Sequence, residues 1–171
     1  MIITGIGSRE TPNKIMLEME AIGKYCLENN ISVRSGHADG ADWAFEKGSQ
    51  QRCIAYLPWQ NFNSNLKSNA RIVVVPYDDK YYEITKTFHP NAKALSRGAV
   101  LLMNRNSCQV LGLNLDKPTN CIVCWTKDGN DSGGTGQALR IAKFYNIPIF
   151  NMFYQDMNTA EKIIAKICKF M

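Results

Sequence analysis

The chain has 171 residues, of which 45% are hydrophobic and 20% charged, and its Lys and Arg outnumber its Asp and Glu by 20 to 15. This composition is typical of one globular domain over residues 1–171 and excludes a low-complexity chain. No apolar run approaches the ~20 residues of a membrane span, and the start, Met1–Gly7, lacks the charged segment of a signal peptide, so we expect a cytoplasmic protein. The formal net charge of +5 is dispersed, which is compatible with nucleotide or nucleic-acid ligands and indicates neither.

Apolar segments alternate with segments of helical periodicity along the whole chain. Strands are expected at 2–6, 31–35, 53–57, 120–126 and 147–152, and a polar surface loop at 60–70. Residues 71–75 are expected to form a strand or a short side element. Such an alternation is typical of parallel strands joined by crossover helices. We therefore predict an α/β fold: a three-layer, Rossmann-like, doubly wound and mostly parallel sheet with helices on both faces.

One helix is expected to be the longest. Proline is favoured at a first helical position, so His89–Pro90 predicts its start, and apolar residues at helical spacing continue to about Leu113. Arg105 lies within this helix. Its guanidinium has two open interpretations: a bidentate phosphate clamp, or one partner of a surface or interhelical salt bridge.

The six cysteines include one C-x-x-C pair, Cys121 and Cys124. Both fall in a predicted strand, where residues three apart point to opposite faces and cannot chelate one metal ion. We therefore predict buried free thiols, with no metal site and no cofactor.

Three glycine-bearing turns follow predicted strands: Gly5–Arg9, Ser35–Asp42 and Ser132–Gln137. The carboxyl ends of parallel strands lie at one edge of the sheet, where ligands bind. Backbone N–H groups at a helix start have no partner within the helix and favour anions, phosphate above all. Neither a G-x-G-x-x-G fingerprint nor a P-loop is present. We therefore predict a shared anion pocket, with these ligand-binding candidates: Gly7, Ser8, Arg9, Ser35, Gly36, Ala38, Asp39, Gly40, Asp42, Arg105, Gly133, Gly134, Thr135 and Gln137.

The motifs Gly7–Arg9, Ser35–Asp42 and Gly133–Thr135 resemble the SLOG superfamily. That superfamily joins the Rossmann domain of DNA-processing protein A (DprA), the Lonely Guy (LOG) phosphoribohydrolases and nucleotide-sensing domains of bacterial defence systems. The resemblance covers nearly the whole chain.

The resemblance is strongest to small stand-alone DprA-like proteins of phages and bacteria. These proteins share L-P-W, H-P-N and R-N-x-x-x-V-L-G segments, which stand here at Leu57–Trp59, His89–Asn91 and Arg105–Gly112. The resemblance implies a homo-oligomer, a dimer or larger. The lack of a long apolar run predicts that the protein has no membrane partner.

Matching of the LOG catalytic residues is incomplete. The Arg on the long helix of LOG enzymes corresponds to Arg105, but Arg140 stands where they carry the catalytic Glu, and Ser132 replaces their Pro. Hydrolysis of an N-glycosidic bond needs a carboxylate or its equivalent. The catalytic residues are therefore left open, with Arg105, Asp42 and Glu46 as candidates.

Two further residues of the second turn region carry expectations. His37 is expected to be a turn histidine exposed to water, although it could also contact a phosphate or act as a base. Glu46 lies beyond the first helical turn, so a structural or solvent-exposed role is expected.

Three functions remain as alternatives. The first is binding of a nucleotide or another phosphate-bearing, nucleotide-derived small molecule, without turnover, because the family Glu is missing. The second is a nucleotide phosphoribohydrolase or N-glycosidase of LOG type, and the third is DprA-like binding of single-stranded nucleic acid.

Overall fold

The computed structural model describes all of residues 1–171, which form six strands and six α-helices. Strands and helices alternate, except that two strands and then two helices follow one another in the middle of the chain. The strands are β1 (Ile2–Gly7), β2 (Ser32–Ser35), β3 (Cys53–Leu57), β4 (Arg71–Val74), β5 (Cys121–Trp125) and β6 (Ile149–Asn151). The helices are α1 (Asn13–Glu28), α2 (Ala41–Ser49), α3 (Asp79–Phe88), α4 (Arg97–Leu111), α5 (Gly136–Phe144) and α6 (Ala160–Ile167). None of the helices is both long and apolar enough to cross a bilayer.

The strands form one sheet in the order β4-β3-β2-β1-β5-β6, and every neighbouring pair is parallel. The order reverses between β1 and β5, where the connections leave toward opposite faces of the sheet. Such a switch point opens a crevice at the carboxyl ends of the two strands. The predicted mostly parallel, doubly wound sheet is confirmed.

Alternate residues of the central strands supply two cores, one on each face of the sheet. On one face Ile3 and Val123 pack with buried side chains of α1, α2 and α6. On the other face Ile6 and Ile122 pack with buried side chains of α4 and α5, and α3 adds partly buried residues. The fold therefore has the three layers that were predicted.

The two cysteines of the C-x-x-C pair illustrate this alternation. Cys121 belongs to the core with α1, and Cys124 to the core with α5, and both are fully buried. Both thiols are free, as predicted.

The predicted start of the long helix was wrong. His89 ends α3, a short 3-10 helix follows at Ala92–Ala94, and α4 begins only after Ser96, whose Oγ accepts a hydrogen bond from the N–H of Ala99 at 3.3 Å. The serine cap supplies a start signal that the proline rule did not consider. With 15 residues, α4 is also one residue shorter than α1.

Candidate ligand-binding cleft

A cleft of 520 Å³ opens at the switch point, between the carboxyl ends of β1 and β5. Its volume is within the range of about 300–1,000 Å³ that small-molecule sites occupy. Residues from the β1 end, α2, α4, the β5 end and the turn before α5 line it. The lining is Ile6, Gly7, Ser8, Arg9, Glu10, Ala38, Asp42, Leu102, Met103, Arg105, Asn106, Gln109, Thr126, Lys127, Ser132, Gly133, Gly134, Thr135 and Ala138.

The turn before α5 presents free backbone to this cleft. Gly133 has the left-handed φ of +61°, and a Cβ built on Gly133 or Gly134 would meet nothing within 4 Å. The N–H groups of Gly133, Gly134 and Thr135 donate to no protein acceptor. Together with the N-terminal end of α5, they form a set of donors suited to an anion.

Two side chains fix the position of this turn. Asn106 on α4 donates from Nδ2 to the carbonyl oxygen of Gly134 at 2.8 Å. Arg140 on α5 donates to the carbonyls of Phe88 at 2.6 Å and Asp131 at 3.1 Å. Arg140, which stands where LOG enzymes carry a carboxylate, thus ties the turn to α3 and lies outside the cleft lining.

The lining of the cleft also contains a buried ion pair. Arg105 Nη1 donates to Asp42 Oδ2 at 3.1 Å, and the two side chains are only 7% and 5% exposed. Burial raises the pKa of Asp42 to about 6, although the guanidinium opposes this shift. Burial also lowers the pKa of Arg105, and the carboxylate opposes that shift. Of the two interpretations of Arg105, the interhelical salt bridge is present, and the phosphate clamp stays a prediction.

Gly36 makes room for this pair. A Cβ at Gly36 would overlap the guanidinium of Arg105 and would lie 2.7 Å from Asp42 Oδ2. The ring of Phe62, from the loop that follows β3, lies 5.7 Å from the guanidinium carbon. The role of Gly36 is therefore to let Arg105 approach the backbone after β2.

Two buried donors at the cleft have no partner. They are Nε of Arg105 and Nε2 of Gln109, which lies one helical turn further along α4. Unpaired buried polar groups are costly in a folded protein and commonly mark functional sites. The sequence prediction did not include Gln109, although its spacing of four from Arg105 places both residues on the same face of the helix.

The prediction that His37 is exposed was wrong. His37 is 4% exposed and has a φ of +57°. Its backbone N–H and its ring Nδ1 bond to the two carboxylate oxygens of Glu46, at 2.8 and 2.7 Å, and Ser35 Oγ donates to Glu46 Oε1 at 3.1 Å. The hydrogen bond to Glu46 raises the pKa of His37. Of the two roles expected for Glu46, structural or solvent-exposed, the structural one is present.

The predicted ligand-binding residues divide into two groups by position. Nine line the cleft: Gly7, Ser8, Arg9, Ala38, Asp42, Arg105, Gly133, Gly134 and Thr135. Five lie outside its lining: Ser35, Gly36, Asp39, Gly40 and Gln137. Gln137 is fully buried, with Nε2 bonded to Met103, Ser107 and Thr85, and Gly40 has a φ of +79° at the cap of α2. Of the catalytic candidates, Arg105 and Asp42 line the cleft and Glu46 does not.

The charges at the cleft are nearly balanced. Lys127 pairs with Glu10 at 3.1 Å on the exposed rim, and Arg105 pairs with Asp42. Arg9 forms no salt bridge and supplies the one uncompensated charge of the lining, a positive one. The electrostatics thus favour a ligand with a small negative charge.

Comparisons with known proteins bear on the fold. No family model matches the chain, and no curated protein matches it by sequence. Among solved structures, DNA processing protein A from Helicobacter pylori, described with its mode of binding single-stranded DNA, is similar over 99% of this chain and 72% of its own, with a TM-score of 0.64 and 17% identity. The Moco carrier protein of Chlamydomonas rheinhardtii is similar over 88% of this chain and 74% of its own, with a TM-score of 0.51 and 16% identity. At these identities the likeness is one of fold: the chain has a Rossmann-like α/β fold of the kind that DprA has.

Proposed function

We propose that this protein binds a nucleotide, or another phosphate-bearing small molecule derived from one, in the switch-point cleft and does not turn it over. The observation that carries this proposal is the set of free N–H groups at Gly133, Gly134 and Thr135 in the cleft that the guanidinium of Arg105 also lines. Backbone donors at a helix start and an arginine are the groups that bind phosphate.

The proposal of binding without turnover depends on the carboxyl groups of the cleft. Asp42 is engaged with Arg105, and Glu10 pairs with Lys127 on the rim. Glu46 accepts three hydrogen bonds away from the lining. Before a ligand binds, none of the three is a free carboxylate in the cleft, as N-glycosidic hydrolysis would require.

A thermal-shift screen with AMP, ADP, ATP, ADP-ribose and cyclic nucleotides tests the proposal. At least one of them should raise Tm in proportion to the logarithm of its concentration. Arg9→Ala should weaken the binding of that nucleotide by roughly 10-fold or more, because a charged hydrogen bond contributes about 1.5–3 kcal/mol. The matched control is Arg97→Ala, an exposed arginine in the first turn of α4, which should leave the affinity unchanged.

Two outcomes would contradict the proposal. A Tm that stays constant with every nucleotide would exclude binding. Release of free base during incubation with a bound nucleotide, measured by chromatography, would instead support the LOG-type N-glycosidase.

A second candidate ligand is single-stranded DNA, which the similar DprA of Helicobacter pylori binds. The open cleft and its uncompensated Arg9 would then contact one phosphate of a longer strand. Binding of a fluorescent oligonucleotide that falls steeply with salt, and that AMP does not displace, would favour this candidate. Displacement of the oligonucleotide by AMP would place both ligands in the same cleft.

A further inference from the structure

Arg105 and Asp42 form a closed pair in the wall of the cleft. Their side chains are at most 7% exposed, and the distance between Nη1 and Oδ2 is 3.1 Å. Another donor of the same guanidinium, Nε, is buried and has no partner. Arg105 is therefore held by one carboxylate oxygen and keeps unused hydrogen-bonding capacity beside the cleft.

The charged and titratable groups around Asp42 come from each element packed against it. Arg105 reaches it from α4, Glu46 lies one turn further along α2, His37 precedes α2, and Cys53 lies on β3. Arg9 faces Arg105 from the loop after β1. Asp42 is thus the one carboxylate that both lines the cleft and contacts Arg105.

We propose that Asp42 is an internal counter-ion of Arg105 that the anionic group of the ligand displaces, so that ligand and one proton bind together. This inference rests on the proposed function. On binding, a phosphate oxygen would accept the hydrogen bonds of Arg105, and the released Asp42 carboxylate would take a proton from solvent. No covalent bond to the ligand forms or breaks.

The charge balance explains why the proton is required. Two anions beside the buried Arg105 would leave one buried negative charge, since the only other cation free to offset it, Arg9, is exposed to solvent, and such a charge is costly. Protonation of Asp42 removes that charge and converts the carboxyl into a hydrogen-bond donor for the phosphate. Burial already raises the pKa of Asp42 to about 6, so the proton is available near neutral pH.

Isothermal titration calorimetry with AMP at pH 7.5, in buffers of different ionisation enthalpy, counts the protons taken up. The wild type should take up nearly one proton more than Asp42→Asn. The variant should bind AMP up to ~30-fold more tightly, because at this pH only a few per cent of Asp42 is protonated before binding. The matched control is His37→Asn, which removes the neighbouring titratable group and retains a residue that tolerates its backbone; its proton uptake should equal that of the wild type.

Sulfate, which does not titrate in this range, gives an independent measurement on the wild type. Its apparent affinity, from the shift in Tm, should be roughly 20-fold higher at pH 5.5 than at pH 7.5. Two results would overturn the displacement of Asp42 even if AMP still binds. One is equal proton uptake by the wild type and Asp42→Asn; the other is an equal apparent affinity for sulfate at both pH values. If the wild type binds no nucleotide from pH 5.5 to 8, the proposed function itself fails.

Discussion

Asn106 Nδ2 donates a 2.8 Å hydrogen bond to the carbonyl oxygen of Gly134, and this contact joins α4 to the turn before α5. Asn106 is 6% exposed and also lines the cleft. Because Arg105 precedes it in the same helix, α4 carries the guanidinium and also positions the backbone donors of the turn. Two adjacent residues of α4 thus act on the two kinds of donor in the cleft lining, the guanidinium and the backbone N–H groups.

Asn106→Ala should weaken AMP binding by about 3- to 10-fold, because loss of one hydrogen bond of about 0.5–1.5 kcal/mol frees the Gly134 turn. Titration calorimetry measures the affinity. Asn91→Ala, an exposed position between α3 and α4, is the control and should bind as the wild type does. An unchanged affinity in Asn106→Ala would show that the turn holds its position without this contact.

Gly36→Ala should displace Arg105 and destabilise the fold. The added Cβ would overlap the guanidinium and press on Asp42 Oδ2. Overpacking of this kind costs about 1–3 kcal/mol, measured by urea unfolding, and AMP binding should fall with it. Gly98→Ala on α4 is the matched control, since its Cβ would meet nothing within 4 Å. It should leave the free energy of unfolding unchanged or raise it by up to ~1 kcal/mol. Equal stabilities of the two variants would contradict the steric argument.

Hydrophobic periodicity predicted the sheet, its parallel strands and its two helical layers. It could do so because the side of a strand or helix that is buried determines which of its own residues are apolar. The shared edge also followed from topology, so the turns at Gly7 and Gly133 were expected to meet, and both line one cleft. Side-chain pairing was not predicted. Asp42 and Arg105 are 63 residues apart, and nothing in the local pattern of either residue encodes its partner.

The wrong prediction for His37 has the same origin. A polar residue in a glycine-rich turn is expected to contact water, and its burial depends on Glu46, nine residues further on. Glu46 belongs to the following helix, so only the packing of α2 against β2 brings its carboxylate to the turn. The predicted start of α4 was wrong for another reason. Pro90 and Ser96 are both acceptable signals for the start of a helix, and the serine forms the cap.

One of the six thiols should react with Ellman's reagent in the native protein, and all six after denaturation. Cys168 is exposed, whereas the other five are fully buried. Burial raises the pKa of Cys26, Cys108 and Cys121 to about 12, which suppresses the reactive thiolate. Cys168→Ser should abolish the native reaction. A second rapidly reacting thiol would contradict the burial of the five other cysteines.

The pair of His37 and Glu46 should make stability depend on pH. The hydrogen bond between His37 and Glu46 raises the pKa of His37 in the folded protein above the unfolded value of about 6.5. A group of this kind stabilises the fold fully below the unfolded pKa, and the contribution is lost as pH rises through the folded pKa. The free energy of unfolding should therefore fall above pH ~6.5, by at most about 1.4 kcal/mol per pH unit. Urea unfolding between pH 6 and 9 measures it.

His37→Asn should remove this slope, because asparagine tolerates the left-handed backbone and carries no titratable group. The other histidine, His89, ends α3, so His89→Asn is the matched control and should retain the slope. Asp42 should cause a separate decline in the free energy of unfolding at lower pH. Its pKa of about 6 in the folded protein exceeds the unfolded value of 3.8. The folded state therefore binds the proton more tightly, and stability falls as pH rises from 3.8 to about 6. A free energy of unfolding that rises from pH 6.5 to 8 in the wild type would contradict the His37 assignment. A decline that survives in His37→Asn would assign it to another group.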